Sequence, residues 1–267
     1  MSDDMNTLIF NPTKARLDAG RMAMMATIRQ TRSVDVVLAI KAAGYDGLYV
    51  DLEHGGLTMP DAGQIFAAAL IAGITPLVRV PGHEAFLSAQ ALDLGAMGII
   101  APHVNTAKEA AAIVANCKYP PEGTRSLSST IPQLRFMKWD AAQVCARINS
   151  QTMVVPQIES VAGVDNVEGI AGTKGVDALL VGTNDLMADM GIPGQHTSDK
   201  VLKAFEKIVA GAKKHGVHVG IGGISGPFSL MKTIYDMGAK WISAGADTGF
   251  LAAALKSKAD EVRKLEG

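Results

Sequence analysis

The sequence predicts a (β/α)8 barrel, and three observations lead there. Eight short β-rich runs alternate with longer Ala/Leu/Ile-patterned stretches from one end of the chain to the other. At 267 residues, 48% of them hydrophobic, the chain is long enough to close such a barrel as a single domain over 1–267 with a large core. No glycine-rich dinucleotide loop follows the first run, which ranks a doubly wound open sheet behind the barrel.

The elements follow in order. MAMMATI (22–28) leads into the helical pattern VDVVLAIKAAG, and GLYVDLE (47–53) into DAGQIFAAALIAG. TPLVRV (75–80) precedes AFLSAQALDLG, and GIIAPH (98–103) precedes TAKEAAAIVANC. TMVVPQIE (152–159) and ALLVGTND (178–185) supply the fifth and sixth strands, with DKVLKAFEKIVAGAKKHG after them. HVGIGG (218–223) and WISAGAD (241–247) complete the set. Several helical patterns stop at a glycine suited to a helix C-terminus. One interval, 118–150, is too long for a single turn: a Pro/Ser-rich loop, KYPPEGTRSLSST, followed by one more helix. Since it follows the fourth strand, it is expected to rise over the open end of the barrel as a lid or to form a subunit contact.

Composition excludes several function classes. The formal charge is −1, with no basic excess for a nucleic-acid backbone and no apolar span long enough for a bilayer. The start, MSDDMNTLIF, is acidic and lacks a signal-peptide pattern, so a cytoplasmic protein is expected. Cys117 and Cys145 are isolated and read as incidental thiols, without a disulfide or structural zinc.

In this fold the chemistry sits where the strands end, so the polar residues at those ends are the candidates. They are Asp51, Glu53 and His54, then Arg79, His103, Gln157, Glu159, Asn184, Asp185 and Asp247. Any one of them alone reads as a cap or loop residue, and Asp185 and Asp247 taken singly do so. Together they exceed what stability requires. Glu159 and Asp185, on neighbouring strands, suit a hard divalent cation such as Mg²⁺ or Mn²⁺, which takes one or two carboxylates and completes its shell with water and substrate. Gln157 shares a strand face with Glu159 and can hydrogen-bond a substrate oxygen. No His-rich or Cys-rich spacing favours zinc.

A cation with one histidine and one arginine suggests carbon-acid chemistry, in which Arg79 and the cation hold a developing enolate and His54 moves the proton. A lysine Schiff base is the other chemistry such a barrel supports. Lys240 precedes the eighth strand and Lys118 lies in a loop, so no lysine projects into the mouth. Asp51 and Glu53 alternate onto one side and serve to orient His54 or hold water beside it. His83, His196, His215 and His218 read as loop or bottom-face residues.

DLEH, PLVRVPG, ALDLGAMGIIAPHVNTAKEA, KYPPEGTR, PQIES, GTNDLMADMG and SAGADTGFL stand in an order that resembles the HpcH/HpaI class II pyruvate aldolase family, which spans 4-hydroxy-2-oxoheptanedioate and 2-dehydro-3-deoxyglucarate aldolases. The resemblance covers nearly the whole chain. It implies a TIM barrel whose C-terminal helix is exchanged between subunits of a homo-hexamer, a dimer of trimers. It implies a divalent cation (Mg²⁺, Mn²⁺ or Co²⁺) held by Glu159 and Asp185, and a 2-oxo acid contacted by Gln157, Asn184 and Asp185. His54 is then the base, Arg79 stabilises the enolate, and Asp93 raises the basicity of the histidine. The implied reaction is reversible cleavage of a 4-hydroxy-2-oxo acid to pyruvate and an aldehyde.

Helices in this fold run from the mouth back to the bottom, so Asp93, late in its helix, either acts across a subunit interface or is structural. Arg125 is followed by SLSST where the family pattern has glycine, and His103 and Asn184 stand where apolar and small residues are usual. These departures predict a narrower, more hydrogen-bonding acceptor pocket. The nearest rival reading is an oxaloacetate decarboxylase, or an enolate-condensing enzyme like macrophomate synthase. A non-catalytic barrel that binds an organic acid is the rival from another class, and it would not need a base beside a cation.

Overall fold

Residues 4–128, 130–224 and 226–266 are described by a computed structural model of the chain, in which eight parallel strands close into one barrel in sequence order. They are β1 (Ala23–Ile28), β2 (Gly47–Asp51), β3 (Thr75–Arg79), β4 (Gly98–Ala101), β5 (Met153–Ile158), β6 (Ala178–Gly182), β7 (His218–Gly222) and β8 (Trp241–Ala246). Each predicted strand forms, starting within one residue of its expected position. Several strands end short of the predicted run, because the polar residues past them leave the ladder for the mouth. Glu53 and His103 lie in turns, Glu159 follows β5, and Asn184 and Asp185 belong to the first turn of the helix Thr183–Asp189 rather than to strand six.

Side chains alternate between two cores, as period-two geometry requires. Met25, Tyr49, Leu77, Ile100, Val155, Leu180 and Trp241 fill the barrel, while Ala26, Val50, Val78, Ile99, Val154, Leu179 and Ile221 meet the surrounding helices. The inward rows continue two residues on, from Tyr49 to Asp51, Leu77 to Arg79 and Val155 to Gln157. Asp51 and Arg79 are direct register partners on neighbouring strands. Thus one packing rule fills the barrel below and arms its mouth above. The flanking helices start on local signals: Thr58 with Asp61 and Thr106 with Glu109 form reciprocal capping boxes, and Gly73, at φ +70°, ends the helix Met59–Ala72 in a left-handed turn.

The segment 118–150 does not rise over the mouth. Tyr119, Ile131, Leu134, Val144 and Ile148 pack with Ile9 and with Met97, the residue before β4. Lys118 Nζ donates to the carbonyls of Asn149 and Thr152 at 2.6 Å, and Asn149 Oδ1 accepts the Tyr119 N–H at 2.7 Å. All of this lies where the strands begin. The preceding helix, Ala107–Cys117, carries the chain back from the mouth before the segment starts, so these residues pack at the end opposite the mouth. Buried Cys117 has its thiol pushed up to about 12, first by burial, which keeps it inert.

The last helix, Asp247–Arg263, buries only Asp247 among its own residues. Leu251 and Leu255 are each 61% exposed, which leaves an apolar pair at helical spacing largely open to solvent.

Candidate active site

Asp51 organises one side of the mouth. Its carboxylate is fully buried and accepts from Arg79 Nε at 2.9 Å and Arg79 Nη2 at 2.5 Å, and from Arg29 Nε at 2.9 Å. It also accepts the backbone N–H groups of Glu53 and His54, at 3.2 and 3.1 Å. Burial by itself raises the Asp51 pKa. The Arg79 hydrogen bonds and charge, the His54 N–H and the Arg29 charge outweigh it and hold the carboxyl below the usual range. Arg79, whose burial would lower its pKa, is instead raised by Asp51, with Tyr49 and Glu53 adding to the effect. Asp51 therefore supports His54 through the backbone beneath it, a contact to the chain rather than to the ring.

Glu53 links three groups. Its carboxylate lies 3.0 Å from Arg79 Nη1, 3.1 Å from His103 Nε2 and 3.9 Å from His54 Nε2. His54 is half exposed and lines a cavity of about 210 Å³ together with Arg29, Tyr49, Arg79, Gln157, Thr183, Asn184, Asp185 and the glycines at 222 and 223.

Across the mouth, Glu159 is 4% exposed. Its Oε1 accepts the His103 N–H at 2.6 Å and lies 2.9 Å from His103 Nδ1, while Oε2 accepts from the Gln157 amide. His103 holds φ at +56°, a left-handed conformation that costs a non-glycine residue about 1 kcal/mol or more. That conformation accompanies the convergence of its N–H and its ring on one oxygen. Burial, above all, raises the Glu159 pKa, and the negative charge of Asp185 adds to the rise.

A divalent cation fits here on the chemistry of the donors. Two carboxylates act on each other, and Gln157 Oε1 and Thr183 Oγ1 are buried without a hydrogen-bond partner among the described residues. Gly182 lets these side chains lie against the strand: a Cβ there would stand 2.5 Å from Glu159 Oε2 and 2.8 Å from Gln157 Nε2, so any other residue would push them out of place. Among the described residues no group of three or more His, Cys, Asp or Glu side chains is arranged as a cation cage. A hard cation that takes its other ligands from water and substrate does not need one.

Of the residues expected at the site, His54, Arg79, Gln157, Asn184 and Asp185 line one cavity, and Glu159 touches it through Gln157. Asp93 is elsewhere. It ends the helix Ala85–Asp93, on the side where the strands begin, and pairs with the buried Arg125 at 2.6 Å. Asp247, which read singly as a cap, accepts the N–H groups of Arg29, Gln30 and Thr31 at 3.1, 3.1 and 2.8 Å and so ties down the loop after β1. Arg29, Tyr49 and Thr183 went unnoticed in the sequence. Arg29 directly follows β1, so the rule that picks out strand ends would have found it.

A family model described as HpcH/HpaI aldolase/citrate lyase matches residues 21–254. The chain is 36% identical over 260 residues to a 4-hydroxy-4-methyl-2-oxoglutarate aldolase of Chaetomium globosum, covering 96% of this chain and 97% of the relative. It is 35% identical over 222 residues to a 5-keto-4-deoxy-D-glucarate aldolase of Klebsiella pneumoniae subsp. pneumoniae, covering 83% of this chain and 85% of that one. Among solved structures, an HpcH/HpaI aldolase from Desulfitobacterium hafniense DCB-2 superposes with a TM-score of 0.87 at 27% identity, over 94% of this chain and 96% of the other.

Proposed function

The chain belongs to the HpcH/HpaI aldolase/citrate lyase family, and from that membership we propose a divalent-metal-dependent class II aldolase that reversibly cleaves a 4-hydroxy-2-oxo acid to pyruvate and an aldehyde. The observation that carries this reading is one cavity with His54 and Arg79 on one wall and Gln157 and Asp185, beside Glu159, on the other. Mg²⁺, Mn²⁺ or Co²⁺ held by Glu159 and Asp185 would supply electrophilic pull on the 2-oxo acid.

The chain's own residues do the rest. In cleavage the 4-hydroxyl proton passes to His54, the C3–C4 bond breaks, and its electron pair moves toward the 2-oxo group as an enolate. Arg79, fixed by Asp51 and Glu53, stands where positive charge offsets the developing negative charge. Gln157 and Asn184 orient the acid, and a proton returned to C3 releases pyruvate. Decarboxylation of oxaloacetate leaves the same enolate and is expected as a side activity. A coupled assay for pyruvate, run with 4-hydroxy-2-oxo acids and each metal, tests the reading. No pyruvate from any of them would remove it.

His103 bridges Glu53 and Glu159 at the rim of the mouth, where it would limit the width open to the acceptor. His103→Ala is expected to shift the ratio of rates between small and bulky aldehydes, and an unchanged ratio would remove its pocket role.

The barrel is proposed to work in the cytoplasm, where its two free cysteines stay reduced, as part of a dimer of trimers with the last helix exchanged. The exposed Leu251 and Leu255 support the exchange, and no described helix is long and apolar enough to cross a membrane. Leu251→Lys with Leu255→Lys should yield smaller particles by light scattering; hexamers that persist would count against it. The segment 118–150 is then a candidate subunit contact. Asp93 can reach a histidine at a mouth only across such an interface. Asp93→Asn should move the pH profile of turnover, whereas an unmoved profile would leave it a structural partner of Arg125.

A further inference from the structure

We propose that Arg29 selects an acceptor that itself carries a carboxylate, by binding that carboxylate on the wall of the mouth opposite Glu159; this rests on the aldolase reading above. Arg29 follows β1 and Glu159 follows β5, and strands one and five face each other across an eight-strand barrel. A 2-oxo acid held on the Glu159 side therefore leaves its partner carbonyl toward Arg29.

The two guanidiniums at the mouth differ in what they have left to give. Arg79 is 7% exposed, and its Nε, Nη1 and Nη2 are all engaged by Asp51 and Glu53. Arg29 is 39% exposed and uses only Nε, on Asp51. Among the described residues its Nη1 and Nη2 make no hydrogen bond, and the side chain lines the cavity. Asp51 divides its single charge between two cations, so Arg29 remains open to another anion.

The position is also built. Asp247 clamps the backbone of Arg29, Gln30 and Thr31, and the Arg29 carbonyl accepts the Gly56 N–H at 2.8 Å. A fixed planar fork suits a carboxylate, which it can meet with parallel hydrogen bonds. Arg29 and Asp185 line the same cavity of about 210 Å³, so an acceptor between them would lie within reach of both. An oxo acid such as glyoxylate or a second pyruvate has the right chemistry.

The test compares two acceptors of similar size, glyoxylate and acetaldehyde, in addition to pyruvate with Mg²⁺ or Mn²⁺ present. Arg29→Gln should lower the glyoxylate-to-acetaldehyde ratio of kcat/KM by about tenfold or more, and Arg29→Lys should restore part of it. An unchanged ratio overturns the proposal. So does an equal loss with both acceptors, which would make Arg29 a mere support for Asp51, or a rise confined to the KM for pyruvate, which would place it on the donor. Should the variants fail to fold, the unaltered enzyme decides: acetate should compete with glyoxylate and not with pyruvate, and any other pattern overturns the proposal. No addition to either acceptor, with no exchange of pyruvate methyl protons, would remove the aldolase reading itself and the proposal with it.

Discussion

Asp51→Asn is expected to destabilise the protein by about 3–5 kcal/mol, because it breaks a buried ion pair by removing one partner. Arg79 is buried, and asparagine offers it one neutral oxygen in place of a carboxylate that now accepts two of its hydrogen bonds. Glu53 stays beside Nη1 and compensates only in part. The amide oxygen can keep the N–H groups of Glu53 and His54, which bond Oδ1, so the loss falls on Oδ2, where an amide NH2 would face Arg79 Nη2 and Arg29 Nε, and turnover should fall as Arg79 loses its anchor. Denaturant unfolding measures the first effect, and a loss below about 1 kcal/mol would contradict the role given to Asp51.

The same carboxyl fixes a direction for pH. Its folded pKa lies below the ordinary value, so its contribution is fully present above the unfolded value of about 4. As pH falls below that value and through the lower folded pKa, the contribution is lost. Asp51→Asn should remove this part of the acid dependence.

His54→Ala is the second large effect. General-base catalysis contributes about 10²–10⁴-fold, and among the described residues no other histidine lines the cavity, His103 being engaged by Glu53 and Glu159. Proton exchange on pyruvate should fall by that order. Cation affinity, measured by calorimetry, should persist, since Glu159 and Asp185 are untouched. A variant that keeps exchange would remove His54 as base; one that loses cation binding too would make it part of the cation site instead.

Much of this was legible in the sequence because short-range rules govern it. Period two sends Asp51, Arg79 and Gln157 inward above Tyr49, Leu77 and Val155, and strand order makes Asp51 and Arg79 neighbours. What escaped depends on direction or distance. Strand four before it points the segment 118–150 toward the mouth, yet the helix Ala107–Cys117 intervenes and reverses the chain. The contact of His103 with Glu159 needs a left-handed backbone that no spacing announces. Asp247, read as a local cap, reaches more than two hundred residues back to the loop that carries Arg29, because β8 closes the barrel against β1.

The central claim is that this mouth removes a proton from the carbon beside a 2-oxo group while a divalent cation holds the acid. Proton NMR of pyruvate in D₂O reads that step directly. The methyl signal should decay when Mg²⁺, Mn²⁺ or Co²⁺ is present, stop with EDTA, and fail to decay with Glu159→Gln. A methyl signal that stays intact with all three metals would contradict the account.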